Sequence, residues 1–224
     1  MEKGKHYAFV GSNGAGKSTI IKMLTGQYTD YEGQILIDGK DIQTLSQSQL
    51  KSLFSVIYQD FSQYEISLKD NILLGDLAKT HRDEEVTGAL TQAGLRELVE
   101  ELPNGIETTL GRIDHSGMDV SGGQWQKIVF ARSIMSPAPI KILDEPTAAL
   151  DPLSENRLYL QYKEIMKGKT TIFISHRLAS TKLADKIFVI DNGVIVQRGQ
   201  YEELVTREGI YRDMFEEQSR WYSQ

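Results

Sequence analysis

The chain has 224 residues, of which 40% are apolar and 25% are charged, a balance typical of a globular domain. Its formal net charge of −6 argues against a nucleic-acid partner, because neutralising the phosphate backbone of DNA or RNA needs an excess of lysine and arginine. The absence of cysteine excludes disulfides, cysteine-ligated zinc and a thiol nucleophile. No apolar run approaches the roughly 20 residues that a membrane-spanning helix needs.

Short strands and helices alternate over the first 58 residues. Apolar periodicity and turn residues predict a strand over Tyr7–Val10, a helix over Lys17–Thr25, a hairpin beginning at Gln34, a capped helix after Ser46 and a strand over Leu53–Tyr58. This part of the chain therefore supplies a first strand–loop–helix unit and a small β-hairpin region.

Strand signals disappear between about residue 77 and residue 136. The predicted helices there are Glu84–Ala93, Leu95–Glu101 and Gln124–Ser136, with glycine and proline between them. We therefore predict a helical lobe, residues 77–136, inserted into a core lobe that is formed by residues 1–76 and 137–224 of a single domain.

Strands return after residue 137. The predicted elements are strands over Ile140–Leu143, Thr170–Ile174, Ile187–Ile190 and Val194–Val196, with helices over Ser154–Met166 and Tyr201–Glu217. Alternating strands and helices favour right-handed βαβ units, so the predicted fold class is α/β with a mostly parallel sheet. Lys141 is unusual in a buried strand, and we expect its stem to reach the surface or one face of the strand to be partly open.

The glycine-rich loop after the first strand fits the P-loop pattern. Its residues, all predicted to bind nucleotide, are Gly11, Ser12, Asn13, Gly14, Ala15, Gly16, Lys17, Ser18 and Thr19. Glycines let successive amides turn toward a polyphosphate, and the following helix adds its N-terminal amides. Lys17 is expected to contact the β- and γ-phosphates, and Ser18 to bind Mg²⁺. The alternative is a glycine turn without a ligand, which the flanking strand and helix disfavour.

Two carboxylates, Asp144 and Glu145, end the strand that begins at Ile140. In a P-loop protein an acid at such a strand end binds Mg²⁺ directly or through water, which is the role predicted for Asp144. Glu145 is expected to lie toward the γ-phosphate and to orient or deprotonate the attacking water. The alternative is that both acids only cap a turn.

A second candidate anion site is Ser121-Gly122-Gly123-Gln124, which precedes a long helical pattern. A serine hydroxyl and two glycines at a helix start favour anion binding for the same reasons as the P-loop. The alternative is a plain helix cap. The segment Asp114-His115-Ser116 contains the letters of a hydrolase triad, but adjacent residues cannot adopt that geometry.

Four segments occur in one order along the chain: GSNGAGKST, VSGGQ, ILDEPTAALD and ISHR. They resemble the Walker A, signature, Walker B with D-loop, and switch-histidine motifs of the ATP-binding cassette (ABC) ATPases. The resemblance covers essentially the whole chain, although the signature carries valine in place of the commoner leucine. It implies a RecA-like P-loop NTPase fold with ATP and Mg²⁺ as ligands and Mg-dependent ATP hydrolysis as the activity.

The resemblance implies roles within one nucleotide site. Gln59 matches the Q-loop glutamine and is expected to contact Mg²⁺ or its water, together with Ser18 and Asp144. His176 matches the switch histidine, which holds the γ-phosphate and the attacking water. The implied catalytic set is Glu145, His176 and Lys17.

The resemblance also implies a partner. Ser121, Gly122, Gly123 and Gln124 are expected to bind ATP held by a second copy, and Asp151 to lie at the seam between the copies. Two chains would then enclose two ATP molecules in a homodimer. The family's adenine-stacking aromatic residue is expected upstream of Met1, and Tyr7 to belong to the core.

Further details resemble exporters, namely the segment Ser175–Ser180 and the ending Glu208–Phe215. Exporter membership implies a transmembrane domain, commonly in the same polypeptide, and a position at the cytoplasmic face of the cell membrane. Gram-positive peptide or bacteriocin exporters are one subclass that fits. The open alternatives are a soluble ABC ATPase and a nucleotide-dependent regulatory module.

Overall fold

The computed structural model describes residues 1–78, 80, 82–112, 117–144, 152–175 and 178–222. The strands are β1 (His6–Val10), β2 (Leu36–Ile37), β3 (Lys40–Asp41), β4 (Phe54–Ile57), β5 (Ile140–Asp144), β6 (Thr170–Ile174), β7 (Lys186–Asp191) and β8 (Val194–Gly199). The α-helices are α1 (Lys17–Leu24), α2 (Gln47–Leu53), α3 (Leu68–Leu73), α4 (Asp83–Gln92), α5 (Arg96–Glu101), α6 (Gly122–Met135), α7 (Pro152–Ile165), α8 (Tyr201–Thr206) and α9 (Ile210–Tyr222). Short 3-10 helices cover Ile42–Thr44, Gly105–Glu107 and Leu178–Leu183.

The chain divides into two compact units. The first contains Met1–Phe54 and most of the described chain from Ala138 onward, and the second contains Ser55–Pro137. The second unit includes the predicted helical lobe and also residues 55–76, because α3 packs on α6 within it. Helix α3 was not predicted, since its six residues are too few to display a helical period.

A mostly parallel sheet forms the centre of the first unit. Its strands lie in the order β5-β6-β1-β7-β8, and only the β7–β8 pair is antiparallel. Strand β1 is buried along its whole length, as expected for a strand with helices on both faces. The prediction of an α/β fold with a mostly parallel sheet is confirmed.

Local sequence signals explain several element boundaries. Ser46 caps α2 by accepting a hydrogen bond from the Gln49 amide at 3.2 Å, while the Gln49 side chain accepts one from the Ser46 amide at 2.9 Å. Asp38 and Gly39 both have positive φ, as a two-residue hairpin turn between β2 and β3 requires. The capped helix and the hairpin were both predicted.

Lys141 corrects an expectation. Its side chain is only 1% exposed, so neither a stem reaching the surface nor an open strand face describes it. Burial, together with the smaller effect of the nearby positive charge of Lys169, lowers the pKa of Lys141 to about 7. The strand is therefore buried around this lysine.

The tail also differs from the prediction of one polar helix. It forms α8 and α9, because Arg207 is extended and Gly209 has a φ of 144°. Tyr211, in the first turn of α9, is fully buried, and its hydroxyl lies 2.6 Å from the Oγ1 atom of Thr181. The sequence pattern suggested a polar segment, whereas α9 carries a buried anchor.

The second unit is organised around α6. Arg132 on this helix donates from Nε to the Asn71 carbonyl at 3.0 Å and from a terminal nitrogen to the Asn71 side chain at 2.9 Å. Asn71, which is fully buried, in turn donates to the carbonyl of Tyr64 at 2.9 Å. This network fixes the segment before α3 on the same helix that begins at the predicted signature.

Candidate nucleotide-binding site

The predicted phosphate loop links β1 to α1 in the first unit. A Cβ atom at Gly11 would lie 2.1 Å from the carbonyl oxygen of Ile190, so no other residue fits there without backbone movement. Gly16 precedes α1 with a φ of 103°, which places the loop backbone in a conformation that favours glycine. Ser12, Asn13 and Gly14 are exposed at the rim, as are Ser18 and Thr19 at the start of the helix. Ala15 is buried under the loop.

Lys17 lies across the loop. Its side chain is 5% exposed, and its Nζ donates to the carbonyl oxygens of Gly11 and Ser12, each at 2.9 Å. An ammonium group over a turn of backbone amides makes this loop strongly electropositive, as a polyphosphate site requires. The geometry supports the predicted position of Lys17 in the loop.

The strand register carries the acidic strand end to the same edge of the sheet. Asp144 pairs with Ile174 across β5 and β6, and Ile174 pairs with Phe9 across β6 and β1. The chain leaves β1 for Gly11 at this edge, two residues after Phe9. Asp144 is 8% exposed, so this residue faces little solvent. Ser175 follows Ile174 at this edge and is buried.

Sequence reasoning missed one support of the loop. The amide of Gly193, in the turn between β7 and β8, donates to the carbonyl of Ala15 at 2.9 Å. Asn192 and Gly193 both have the positive φ that a hairpin turn between β7 and β8 needs. A contact between positions so far apart in sequence leaves no local signal.

The predicted signature begins α6 in the second unit. Ser121 caps the helix and accepts a hydrogen bond from the Gln124 amide at 3.3 Å, while Gln124 Oε1 accepts one from the Ser121 amide at 2.7 Å. A Cβ atom at Gly122 or Gly123 would have no heavy atom within 4 Å, so the first turn of α6 is open. Because Ser121 acts as acceptor in this cap, its hydroxyl proton remains able to donate to an anion.

Other predicted residues have simpler outcomes. Gln59, two residues after β4 in the second unit, is exposed. Glu145, Asp151 and His176 lie outside the described residues, as does the segment Asp114-His115-Ser116. Tyr7 is 4% exposed and its ring lies 6.0 Å from that of Phe188, which confirms its prediction as a core residue. None of the helices in the described part of the chain has the length and apolar character needed to span a membrane.

Comparison with known proteins places this geometry in a family. The family model described as ABC transporter matches residues 1–148. The chain is 41% identical over 219 residues to the subtilin transport ATP-binding protein SpaT of Bacillus subtilis, covering 98% of this chain and 36% of that protein. It is 38% identical to an ATP-dependent lipid A-core flippase of Francisella tularensis, covering 96% and 35%. The chain therefore spans little more than a third of these relatives.

A solved structure gives the same result. The chain resembles a bacterial Atm1-family ABC exporter with ATP bound, with a TM-score of 0.86 and 33% sequence identity over 97% of this chain and 37% of that one. The resemblance inferred from the four motifs, an ABC ATPase domain of the exporter type, is thus confirmed. The P-loop geometry, the parallel sheet and the family match together establish that this chain belongs to the ABC transporter family.

Proposed function

We propose that the chain binds ATP with Mg²⁺ in the loop from Gly11 to Thr19, hydrolyses it, and thereby powers export across a membrane. The observation that carries the proposal is the position of the Lys17 ammonium group, which donates to the loop carbonyls of Gly11 and Ser12 at the edge where β1 ends. Phosphate oxygens are stronger acceptors than these carbonyls, because they carry charge. Lys17 would donate its hydrogen bonds to the phosphates of ATP in place of these carbonyls. Its side chain is already buried, so it would not first have to leave solvent.

The donor set fits Mg²⁺. Ser18 offers a hydroxyl at the first turn of α1, and Asp144 offers a largely buried carboxylate at the same edge of the sheet. Mg²⁺ prefers oxygen ligands and is commonly held by one or two protein oxygens, with phosphates and water completing the shell. The bound ion would neutralise charge on the β- and γ-phosphates. Gln59 remains a proposed contact of the ion or of its water.

The chain's own residues would then carry the reaction. Lys17 stabilises the negative charge that develops on the transferred phosphoryl group. Glu145 accepts or orients the proton of the attacking water, and His176 holds that water against the γ-phosphate. The roles of Glu145 and His176 rest on their match to the family motifs.

The signature is proposed to complete the site of a second copy. Its helix start is open at Gly122 and Gly123, and Ser121 has a proton to donate. An anion brought by another molecule can therefore reach the amides of α6 without a steric barrier. Two copies joined in this way would bury two ATP molecules, with Asp151 at the seam, and hydrolysis would release them.

An exposed apolar patch on the second unit is proposed to contact the transmembrane part of the exporter. Tyr64, Ile66 and Met118 are 44%, 37% and 41% exposed. They lie on two segments that both bond to residues 110 and 111, since the Leu110 amide donates to the Ile66 carbonyl and the Gly111 amide to that of Met118. Exposed apolar clusters of this kind mark contact surfaces. The domain would then work at the cytoplasmic face of the membrane.

Purified chain tests the first part of the proposal. Phosphate release from ATP should require Mg²⁺ and stop when the ion is chelated. Absence of turnover despite ATP binding would instead favour a nucleotide-sensing regulatory module. For coupling, Ile66→Asp in a full-length exporter that carries this chain should abolish ATP-driven uptake into inverted vesicles and leave basal hydrolysis intact. Leu77→Asp, at a position that is 78% exposed, is the matched control.

A further inference from the structure

Helix α9 is anchored to Leu178, which lies two positions after His176 in the sequence. The amide of Leu178, the first residue of its 3-10 helix, donates to the Oε1 atom of Gln218 on α9 at 3.0 Å. Such an amide at a helix start has no partner within its own helix. A side chain 40 residues further along the sequence therefore satisfies it.

A second bond ties the same short helix to α9. Thr181 Oγ1 donates to the Leu178 carbonyl at 2.6 Å, so its single proton is used, and it accepts from the Tyr211 hydroxyl at 2.6 Å. Thr181 and Tyr211 are both fully buried. Burial raises the pKa of Tyr211 to about 12, so its hydroxyl keeps the proton that it donates. Both the amide and the carbonyl of Leu178 are thus held by bonds that lead to α9.

The chain is also held immediately before position 176. Ser180 Oγ donates to Ser175 Oγ at 3.0 Å, and both serines are 3% exposed. Ser175 continues β6, whose last residue pairs with both Asp144 and Phe9. Leu178 is therefore held by bonds that lead to α9, and Ser175 by a separate bond to the same 3-10 helix.

From this arrangement we infer that α9, with Gln218 and Tyr211 as positioning residues, fixes the backbone at Leu178. Through Leu178 it would support the hydrolytic role proposed for His176, two positions earlier in the sequence. The inference rests on the proposed function of His176. Displacing a group that orients a reacting water lowers the rate of the chemical step and has little effect on ATP affinity, because Lys17 and the loop amides hold the nucleotide. A change at α9 would thus alter the rate of hydrolysis and leave ATP affinity unchanged.

The test compares Gln218→Leu, which removes the acceptor at similar volume, with Gln218→Glu, which keeps an acceptor oxygen. We expect Gln218→Leu to lower kcat by about tenfold, the factor typical of one lost hydrogen bond, with KM for ATP within about twofold of wild type. Gln218→Glu should recover most of the rate. Glu217→Leu, on the exposed face of the same helix, is the matched control and should behave as wild type.

Tyr211→Phe is the second variant, because it removes one hydroxyl and keeps the packing. Its expected effect is a smaller loss of kcat, about threefold, since Thr181 still holds the Leu178 carbonyl. A double-mutant cycle tests whether Gln218 acts through His176. In single-turnover assays on a His176→Ala background, Gln218→Leu should cause no further loss of hydrolysis rate. A full additional loss on that background, or equal losses from Gln218→Leu and Gln218→Glu, would overturn the inference. Wild-type chain without turnover, or normal turnover by His176→Ala, would instead reject the proposed function.

Discussion

The Nζ atom of Lys17 lies 2.9 Å from the carbonyl oxygen of Gly11, the first residue of the phosphate loop. The lysine has therefore lost its conformational freedom before any nucleotide arrives. Ordering a lysine side chain on binding costs up to about 2 kcal/mol, and here folding has already met that cost. The proposed binding of ATP by this loop would therefore gain from preorganisation as well as from charge.

Replacing Lys17 by alanine tests the loop directly. We expect Lys17→Ala to lower ATP affinity by about 100-fold or more, because the only ammonium group bonded inside the described loop is removed. Isothermal titration with ATP measures the change. Lys22→Ala, on the outer side of α1 where the ammonium group lies 5.3 Å from the Tyr28 ring, should bind as wild type. Equal ATP affinity of Lys17→Ala and wild type would refute the phosphate-loop interpretation.

Changing Glu145 to glutamine separates binding from hydrolysis. The amide cannot accept the proton of the attacking water, so Glu145→Gln should lower kcat by about 100-fold or more and retain ATP. With ATP trapped, the chain should also migrate as a dimer in size-exclusion chromatography. Glu97→Gln, an exposed change on α5, should preserve turnover. Normal hydrolysis by Glu145→Gln would show that another group serves as the base.

The variant Gly122→Asp tests phosphate contact at the signature without lowering the stability of the protein. A carboxylate in the first turn of α6 interacts favourably with the helix dipole by about 0.3–1 kcal/mol, and the site has room for the side chain. The melting temperature should thus stay constant or rise. ATP-dependent dimerisation should be lost, because the new charge repels a γ-phosphate. Gly122→Ala should melt and dimerise normally, and dimers formed by Gly122→Asp would exclude phosphate contact at this helix start.

The lowered pKa of Lys141 predicts that the free energy of unfolding depends on pH. Its folded pKa of about 7 lies below the ordinary value of 10.5, so between these values the unfolded chain binds a proton that the folded chain does not. The contribution of Lys141 to the free energy of unfolding therefore rises with pH across that window. Below pH 7 Lys141 is charged in both states, and the full cost of burying its charge lowers the stability. Lys141→Met should raise the free energy of unfolding at neutral pH by a few kcal/mol, on the order expected for a buried lysine.

Urea unfolding at several pH values between 7 and 10.5 measures this effect. The difference between Lys141→Met and wild type should shrink as pH rises. Lys167→Met, at an exposed position near the end of α7, controls for the loss of a positive charge. A difference that is constant over the whole window would contradict burial as the cause of the lowered pKa.

Local chemistry explains which parts of the fold and of the site could be predicted. The caps at Ser46 and Ser121 each depend on four consecutive residues, and the loop after β1 on the nine residues 11–19, so their patterns are complete in a short stretch of sequence. The parallel sheet followed from the alternation of strands and helices. These features needed no knowledge of distant contacts.

The missed features all depend on distant contacts. The support of Ala15 by Gly193, the anchoring of Leu178 by Gln218 and the complete burial of Lys141 are set by tertiary packing. Helix α3 was missed because its stability comes from Asn71 and its contact with Arg132 on α6. A six-residue segment has little helical preference of its own.

The order of the strands has a consequence for biosynthesis. Strand β1 lies between β6 and β7, and the loop that follows it is supported by Gly193. The nucleotide loop is translated among the first twenty residues of this chain, yet its neighbours emerge from the ribosome some 150 residues later. A nascent chain would therefore expose an unpaired β1 until β6 and β7 have been made. ATP could bind only after elongation has passed β7. The proposed nucleotide would therefore bind chains in which this sheet has already formed.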